Sequence, residues 1–400
     1  MRILIVTSFP IPGEYDGTAM LPIKILRALK TRGIDVVVAH LRAKPPFGRA
    51  YRGVFEGTPV YTLPPRRWGS GMRRIARDFP FDLVHAQHYG GATRAFLTCK
   101  KYQWPLVYEI HSLLGDEVER DKLGRGVPFQ LTRMVEQWAS RYAAGIIVLG
   151  QLVKDVLVNE KGLQAEKISV IYPGIDLAEF STSDVPAIIP GISSEHKVIM
   201  YVGSIVHPNQ GVSILINSLH RVFSTLPEAR CVLVGGPAEI GEIYKTQLGP
   251  YANRLTILSN TTPEQVVSLC KRADVLVHPR LACRENFSVQ SKIAVYLASG
   301  RPIVATNFGD YKTILGNSGA GLLTEVNPYA LSVGIIEVLT NPILADQLSR
   351  AAIPVARELF AMDRNIDRYI DAYAKAISTF IPKTIRRRRK RRDEHGGLED

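Results

Sequence analysis

The side chains best suited to chemistry in this sequence are histidines at the ends of apolar runs and cations scattered through the second half. In 108-YEIHSLLGDE, His111 directly follows a strand-like run, where a side chain can reach past the edge of a sheet. An imidazole there can hydrogen-bond a substrate hydroxyl or stabilise developing charge; the plain alternative is a histidine satisfied by backbone at a strand end. His85 and His88 in 84-VHAQHYGG end the preceding run and could face a substrate pocket or be structural. In the first loop, Gly17 and Thr18 could let backbone approach a phosphate, with a plain turn as the other reading and Asp16 as a turn former. His207, Arg280, Arg284 and Lys292 supply positive charge further on, and amides near Ser288, at the start of an expected helix, form an anion site whatever the side chain. Solvent-facing roles for Arg280 and Arg284 are equally compatible. The four cysteines, Cys99, Cys231, Cys270 and Cys283, have no C-x-x-C spacing, so neither zinc nor a disulfide framework is expected.

These residues must be positioned by alternating strands and helices. Apolar runs fit parallel strands at Ile3–Thr7, Val36–His40, Leu83–Ala86, Leu106–Ile110, Ile146–Leu149 and Ile168–Ile171. Between them lie helix-period segments. In 21-LPIKILRALKTRG, Leu21, Ile25, Leu26 and Leu29 share a face, with Gly33 where a C-cap is expected. Leu131, Met134, Val135 and Trp138 form a similar stripe. Residues 181–197, rich in Ser, Pro and Gly, read as a linker, after which 198-VIMYVGS, 231-CVLVGG, 255-LTILS, 275-VLVHP and 302-PIVAT restart the alternation. Thr262 before Pro263 and Glu264 is a favourable helix N-cap. The expected organisation is α/β: two doubly wound parallel-sheet domains at 1–180 and 198–362, a helix at 363–382 and a basic disordered tail at 383–400. Strand C-terminal ends would then face one cleft, where open α/β sheets bind ligands.

The 400 residues, 46% hydrophobic and 22% charged, exclude wholesale disorder, collagen and coiled coil. No apolar run approaches the ~20 residues that span a bilayer. With no recognisable leader at the N-terminus, a cytoplasmic protein is expected, peripheral on the inner membrane face if the positive charge finds lipid. The formal charge is +13, to which the tail from Arg386 contributes seven bases and four acids. A second concentration, residues 42–77, holds Arg42, Lys44, Arg49, Arg52, Arg66, Arg67, Arg73, Arg74 and Arg77 against Glu56 alone. It reads as loop or short helices with a cationic face. This stretch and 386-RRRRKRR could meet anionic lipid, or simply be solvated. No nucleic-acid module accompanies the charge, so no specific nucleic acid is expected.

Five segments in order resemble the GT-B glycosyltransferases, specifically the large retaining group called family 4, over roughly residues 1 to 380. They are the opening MRILIVTSFPIPGEYDGTA, 146-IIVLG with 170-VIYPGIDLAEF, 201-YVGSIVHPNQGVSILINSL, 292-KIAVYLASGRPIVAT and 357-RELFAMDRNIDRYIDAY. The resemblance implies two Rossmann-like domains, the first for acceptor and the second for nucleotide sugar, with a last helix crossing back to the first. In that family an Arg after the C-domain's first strand-end glycine and a Lys six residues later grip the diphosphate. Here, after Gly203, those positions hold Ser204 and Gln210. Two family glutamates match Phe287 and Val295, with Glu285 close enough to the first to substitute. Lys292 matches a lysine of some subgroups, and His111 a histidine near the transferred sugar.

The resemblance thus implies a hexosyltransferase moving sugar from a nucleotide donor to a hydroxyl acceptor, a saccharide or lipid-linked saccharide, with retention and without a metal. His111 is the catalytic candidate. Gly17, Thr18, Gly203, Ser204, Gln210, Arg280, Glu285, Ser288 and Lys292 are the donor-binding candidates. The substitutions at Ser204, Gln210 and Val295 motivate a second expectation: a relative that no longer transfers sugar and serves an active enzyme as a scaffold.

Overall fold

Strands β5 (Leu83–Gln87), β6 (Leu106–Ile110) and β7 (Gly145–Val148) are buried at every residue, as expected of parallel strands covered on both faces. The computed structural model describes residues 1–11, 17–41, 51–64, 67–113, 127–181 and 187–382. These strands share an eight-stranded sheet, in the order β3-β4-β2-β1-β5-β6-β7-β8, with β1 (Arg2–Thr7), β2 (Asp35–Leu41), β3 (Tyr51–Phe55), β4 (Thr58–Leu63) and β8 (Ile168–Val170). All pairings are parallel except β3 with β4. Its helices are α1 (Gly17–Thr31), α2 (Trp68–Asp78), α3 (His88–Tyr102), α4 (Val127–Tyr142) and α5 (Gln151–Asn159). Helix α1 closes as expected, on Gly33 at φ +69°, with Ile34 N–H bonded to the Leu29 carbonyl.

Two expectations fail in this unit. The described part of 42–77 is a β-hairpin where loop was expected, followed by α2, a short helix with exposed arginines as expected. Glu56 and Gly57 both have φ > 0, which makes the two-residue turn that matches strand twist, and β4 is buried on both faces, by Thr58 and Val60 on one and Tyr61 and Leu63 on the other. The second failure is α4. Its apolar stripe does not face the core: Leu131, Met134 and Trp138 are 54%, 39% and 44% exposed, while Ala139, Ser140 and Ala143 are buried. Periodicity identifies an apolar face; here the small residues let the helix backbone lie close to its neighbours, and they took the inside.

The second unit is an all-parallel six-stranded sheet in the order β11-β10-β9-β12-β13-β14. Its strands are β9 (Lys197–Val202), β10 (Ala229–Val234), β11 (Leu255–Leu258), β12 (Val275–His278), β13 (Ile303–Thr306) and β14 (Leu322–Thr324). Its helices are α6 (Ala178–Ser181), α7 (Val212–Thr225), α8 (Ala238–Leu248), α9 (Pro263–Arg272), α10 (Ser291–Ala298), α11 (Pro328–Thr340) and α12 (Pro342–Val355). Alternate residues feed two cores: Val198 and Met200 pack with Ile293 and Leu297, Ile199 and Tyr201 with Leu215 and Leu219. Thr262 caps α9 as expected, and Gln265 completes a capping box by bonding back to Thr262 N–H at 2.8 Å.

By internal contacts the chain forms two units. The first comprises Met1–Leu149, Val153–Ile171 and Ile366 onward; the second comprises Gly150–Leu152 and Tyr172–Asn365. The expected linker does not hang free: Ala187 N–H bonds the Ser268 carbonyl at 3.4 Å and Ile189 is buried in the second core. The last helix, α13 (Met362–Thr379), returns the chain to the first unit. The tail at 383–400 and residues 12–16, 42–50 and 182–186 lie outside the described residues.

Candidate active site

In the second sheet, β9 to β11 wind one way and β12 to β14 the other, so the strand order reverses between β9 and β12. Loops leaving the carboxyl ends of two such strands diverge and leave room for a ligand. The loop after β9 begins at Gly203, with φ +131°, and ends at Gly211, where a Cβ would collide with the Pro279 carbonyl of the loop after β12. Asn286 ties the loops together, donating to the carbonyls of Asn209 at 2.9 Å and Leu281 at 2.7 Å.

Lys292 stands in the first turn of α10, a helix fixed to the sheet by Val202 N–H donating to the buried Tyr296 hydroxyl at 2.7 Å. Its Nζ lies 4.3 Å from the centre of the Tyr201 ring and donates to Tyr201 Oη and to Gln210 Oε1, each at 2.9 Å. The Tyr201 hydroxyl donates in turn to the Ser204 carbonyl at 2.8 Å. With the Gln290 amide turned so that its oxygen faces the donors, it accepts from Gln210 Nε2 at 3.2 Å and from Arg280 Nη1 and Nη2 at 2.8 and 3.0 Å. Two neutral carboxamides therefore bridge two cations.

Arg280 is 1% exposed, and its carbonyl accepts from Thr306 Oγ1 at 2.6 Å. Burial, with Arg280 adding to it, pushes the Lys292 ammonium well below the ordinary lysine range. Burial and the same two cations push His278 well below its usual value, so this buried histidine is neutral, its ring 4.7 Å from Tyr311 in an edge contact. Such a cluster attracts anions: a diphosphate would supply the negative charge that the carboxamides lack.

In the first unit, His111 follows β6 and is 8% exposed. Its Nε2 lies 3.4 Å from Oε1 of Glu109, a carboxylate with no exposed surface. Glu109 also accepts from Gln87 Nε2 at 3.0 Å and from the Tyr369 hydroxyl of α13 at 2.9 Å, and meets His85 Nε2 at 2.9 Å. His85 Nδ1 lies 2.9 Å from the Tyr373 hydroxyl. A tautomer protonated at Nε2 satisfies both contacts. Burial alone would raise the Glu109 pKa, but the bonds from His111 and His85 outweigh it and hold the carboxyl well below the usual range. His88 opens α3 at φ +59°, a left-handed conformation unfavourable for histidine, and its ring lies 5.9 Å from that of His111.

The structure brings Gly203, the Ser204 carbonyl, Gln210, Arg280 and Lys292 into one cluster. Ser288 is half-buried but does not start the helix; α10 begins at Ser291 with Gln290 as N-cap, because Gln290 still has extended backbone (φ −88°, ψ 145°). The helix-start amides are accordingly those from Ser291 onward. Arg284 and His207 are exposed, Arg284 over the Phe287 ring at 5.5 Å. Gly17 and Thr18 open α1 instead of lying in the loop before it, and the Glu285 side chain lies outside the described residues. Sequence reasoning missed Tyr201, Gln290 and Glu109. Glu109 carried a signal: an acid inside an otherwise apolar strand needs a partner.

Residues 15–179 match the family model described as Glycosyltransferase Family 4, and residues 196–341 that described as Glycosyl transferases group 1. Similar curated proteins include the D-inositol 3-phosphate glycosyltransferase of Nocardioides sp., 24% identical over 92% of this chain and 87% of the relative. The enzyme of that name from Mycolicibacterium smegmatis is 26% identical over 96% of this chain and 92% of its own. Among solved structures, sucrose-phosphate synthase from Thermosynechococcus elongatus aligns with a TM-score of 0.76 at 16% identity, covering 94% of this chain and 99% of that one. Anabaena HepE in complex with UDP aligns at 0.73 and 20%, covering 94% and 100%. With both halves matched in order, and two parallel-sheet units built as the fold requires, the chain belongs to the family 4-like glycosyltransferases of GT-B fold, enzymes that transfer sugars.

Proposed function

We propose that this enzyme transfers a hexose from a nucleoside diphosphate donor to a hydroxyl acceptor with retention, using Lys292 as the main counter-charge for the diphosphate. One observation carries the reading: Lys292 Nζ lies 2.9 Å from the carboxamide of Gln210, at whose position the family resemblance expects the phosphate lysine. The cation missing from the loop after β9 arrives at the same place from α10. Arg280, held by Gln290, is the second cation. Gly203 and Ser204 line the phosphate subsite, and Ser288 with the first-turn amides of α10 adds donors. Gly17, Thr18 and Glu285 are proposed as further donor contacts. No metal is needed in this scheme.

In the transfer, the bond from the anomeric carbon to the β-phosphate oxygen breaks and its electron pair stays on that oxygen. The acceptor oxygen forms the new bond on the same face, and its proton passes to the departing phosphate. His111 Nδ1 accepts a hydrogen bond from a sugar hydroxyl as charge develops, and Glu109, 3.4 Å from Nε2, orients the ring. The similar D-inositol 3-phosphate glycosyltransferases make an inositol phosphate the first acceptor to test; a lipid-linked saccharide at the inner membrane surface is the next. The proposed setting is the cytoplasm. A scaffold without transfer would have no use for a relocated cation, and the Lys292–Gln210 contact favours the enzyme.

Calorimetric titration with UDP, GDP and ADP tests the reading. Uptake of one of them, lost in Lys292→Met, is expected, followed by turnover of its sugar conjugate. Absence of uptake at millimolar nucleotide would overturn it.

A further inference from the structure

Three residues of the α4 apolar stripe face outward among the described residues. Leu131, Met134 and Trp138 recur at helical spacing on the exposed side of the helix, with Arg133 and Arg141 also exposed beside them. Helix α3 packs against α4 on one side and α2 on the other, and adds Leu97, 61% exposed, next to the exposed Lys100 and Lys101. Together the three helices carry eight Lys or Arg and two acids. Asp78 offsets part of the α2 charge, and the excess of cations over the three helices remains. Asp78 is engaged by Arg74 and Arg77 at 3.7 and 3.4 Å, and Glu136 accepts from the Tyr108 hydroxyl at 2.9 Å.

A soluble partner with a groove could cover the apolar stripe, and a nucleic acid could answer the charge. Only a charged lipid surface answers both, since tryptophan, methionine and leucine enter the acyl boundary while Lys and Arg stay with the headgroups. We infer that the α3–α4 face docks this protein on an anionic bilayer, with Trp138, Met134 and Leu131 inserted. Among the described residues no single helix is long and apolar enough to cross a membrane, and surface docking requires none. This deepens the membrane setting proposed above and assigns the inserted side chains to α4, outside residues 42–77, of which only the α2 arginines add charge; residues 386–392 lie outside the described residues.

The test is co-sedimentation of the full chain with vesicles of phosphatidylglycerol and phosphatidylcholine, or phosphatidylcholine alone, with UDP, GDP and ADP titration run in parallel. Binding to the anionic vesicles only is expected, falling about tenfold or more in the triple variant Leu131→Gln, Met134→Gln, Trp138→Gln. Nucleotide uptake should be unchanged in that variant, so failure of docking and failure of the donor site read out separately. Of the three tryptophans, Trp68 is buried and Trp104 half-buried. A blue shift of emission on vesicle binding should therefore arise from Trp138 and vanish in Trp138→Phe while sedimentation persists. Equal sedimentation of the triple variant would overturn the inference. So would loss of binding on deleting residues 386–392 alone, or tighter salt-sensitive binding to DNA than to vesicles.

Discussion

Gly203 and Lys292 are packed so closely that a methyl group added to the glycine would fall 2.9 Å from the lysine Cε. The glycine is thus the floor on which the ammonium is set. Gly203→Ala should lower nucleotide diphosphate affinity about tenfold, through the displaced lysine and the φ of +131° that alanine adopts only under strain. Combined with Lys292→Met, the second change should add little, because both remove the same interaction. Additive losses in a titration series would show that the glycine acts elsewhere.

The relocation of the phosphate cation can be reversed. Lys292→Gln should weaken nucleotide binding by a factor of about 10–100, the equivalent of a charge-assisted hydrogen bond of roughly 1.5–3 kcal/mol. Adding Gln210→Lys in the same chain restores an ammonium to the opposite wall of the subsite and should recover most of the loss. Recovery is read by calorimetry; none at all would mean that the two side chains do not serve one anion.

Lys292 also predicts a pH dependence. Its folded pKa lies below that of the unfolded chain, so between the two values the unfolded state binds more protons. Stability therefore rises with pH across that window. A bound diphosphate favours the charged form, so nucleotide binding should take up to one proton above the depressed pKa and weaken as pH increases. Calorimetry in buffers of differing ionisation enthalpy measures the uptake, and Lys292→Met should abolish it.

Tyr369 and Glu109 join positions 260 residues apart within the first unit. Tyr369→Phe removes a donor to a buried carboxylate and should cost about 2 kcal/mol; Glu109→Ala, which strands His85, Gln87 and Tyr369, about 3–5 kcal/mol. Trp68, Trp104 and Trp138 all belong to this unit, so tryptophan emission in a urea series reports it directly. The Glu109 contribution is complete above the ordinary carboxylate range and is lost as pH falls through its depressed folded value. An unchanged midpoint in Tyr369→Phe would remove α13 from the stabilising contacts.

The sequence by itself determined the alternation of strand and helix, the two doubly wound sheets, the Gly33 and Thr262 caps and the family. These rest on local periodicity and backbone chemistry, which neighbouring residues decide among themselves. It also named Lys292 and Gln210, but as separate facts, one cation present and one absent. Only the tertiary structure decided that they touch, because β9 and β12 become neighbours through a reversal of strand order that no local pattern encodes. The same holds for Glu109, whose partners come from β5 and α13, and for α4, where an apolar stripe and a set of small residues competed for the inside. Periodicity can say that a helix has two faces. Which face is covered depends on the shape of what it packs against, and here the alanines and serine fitted.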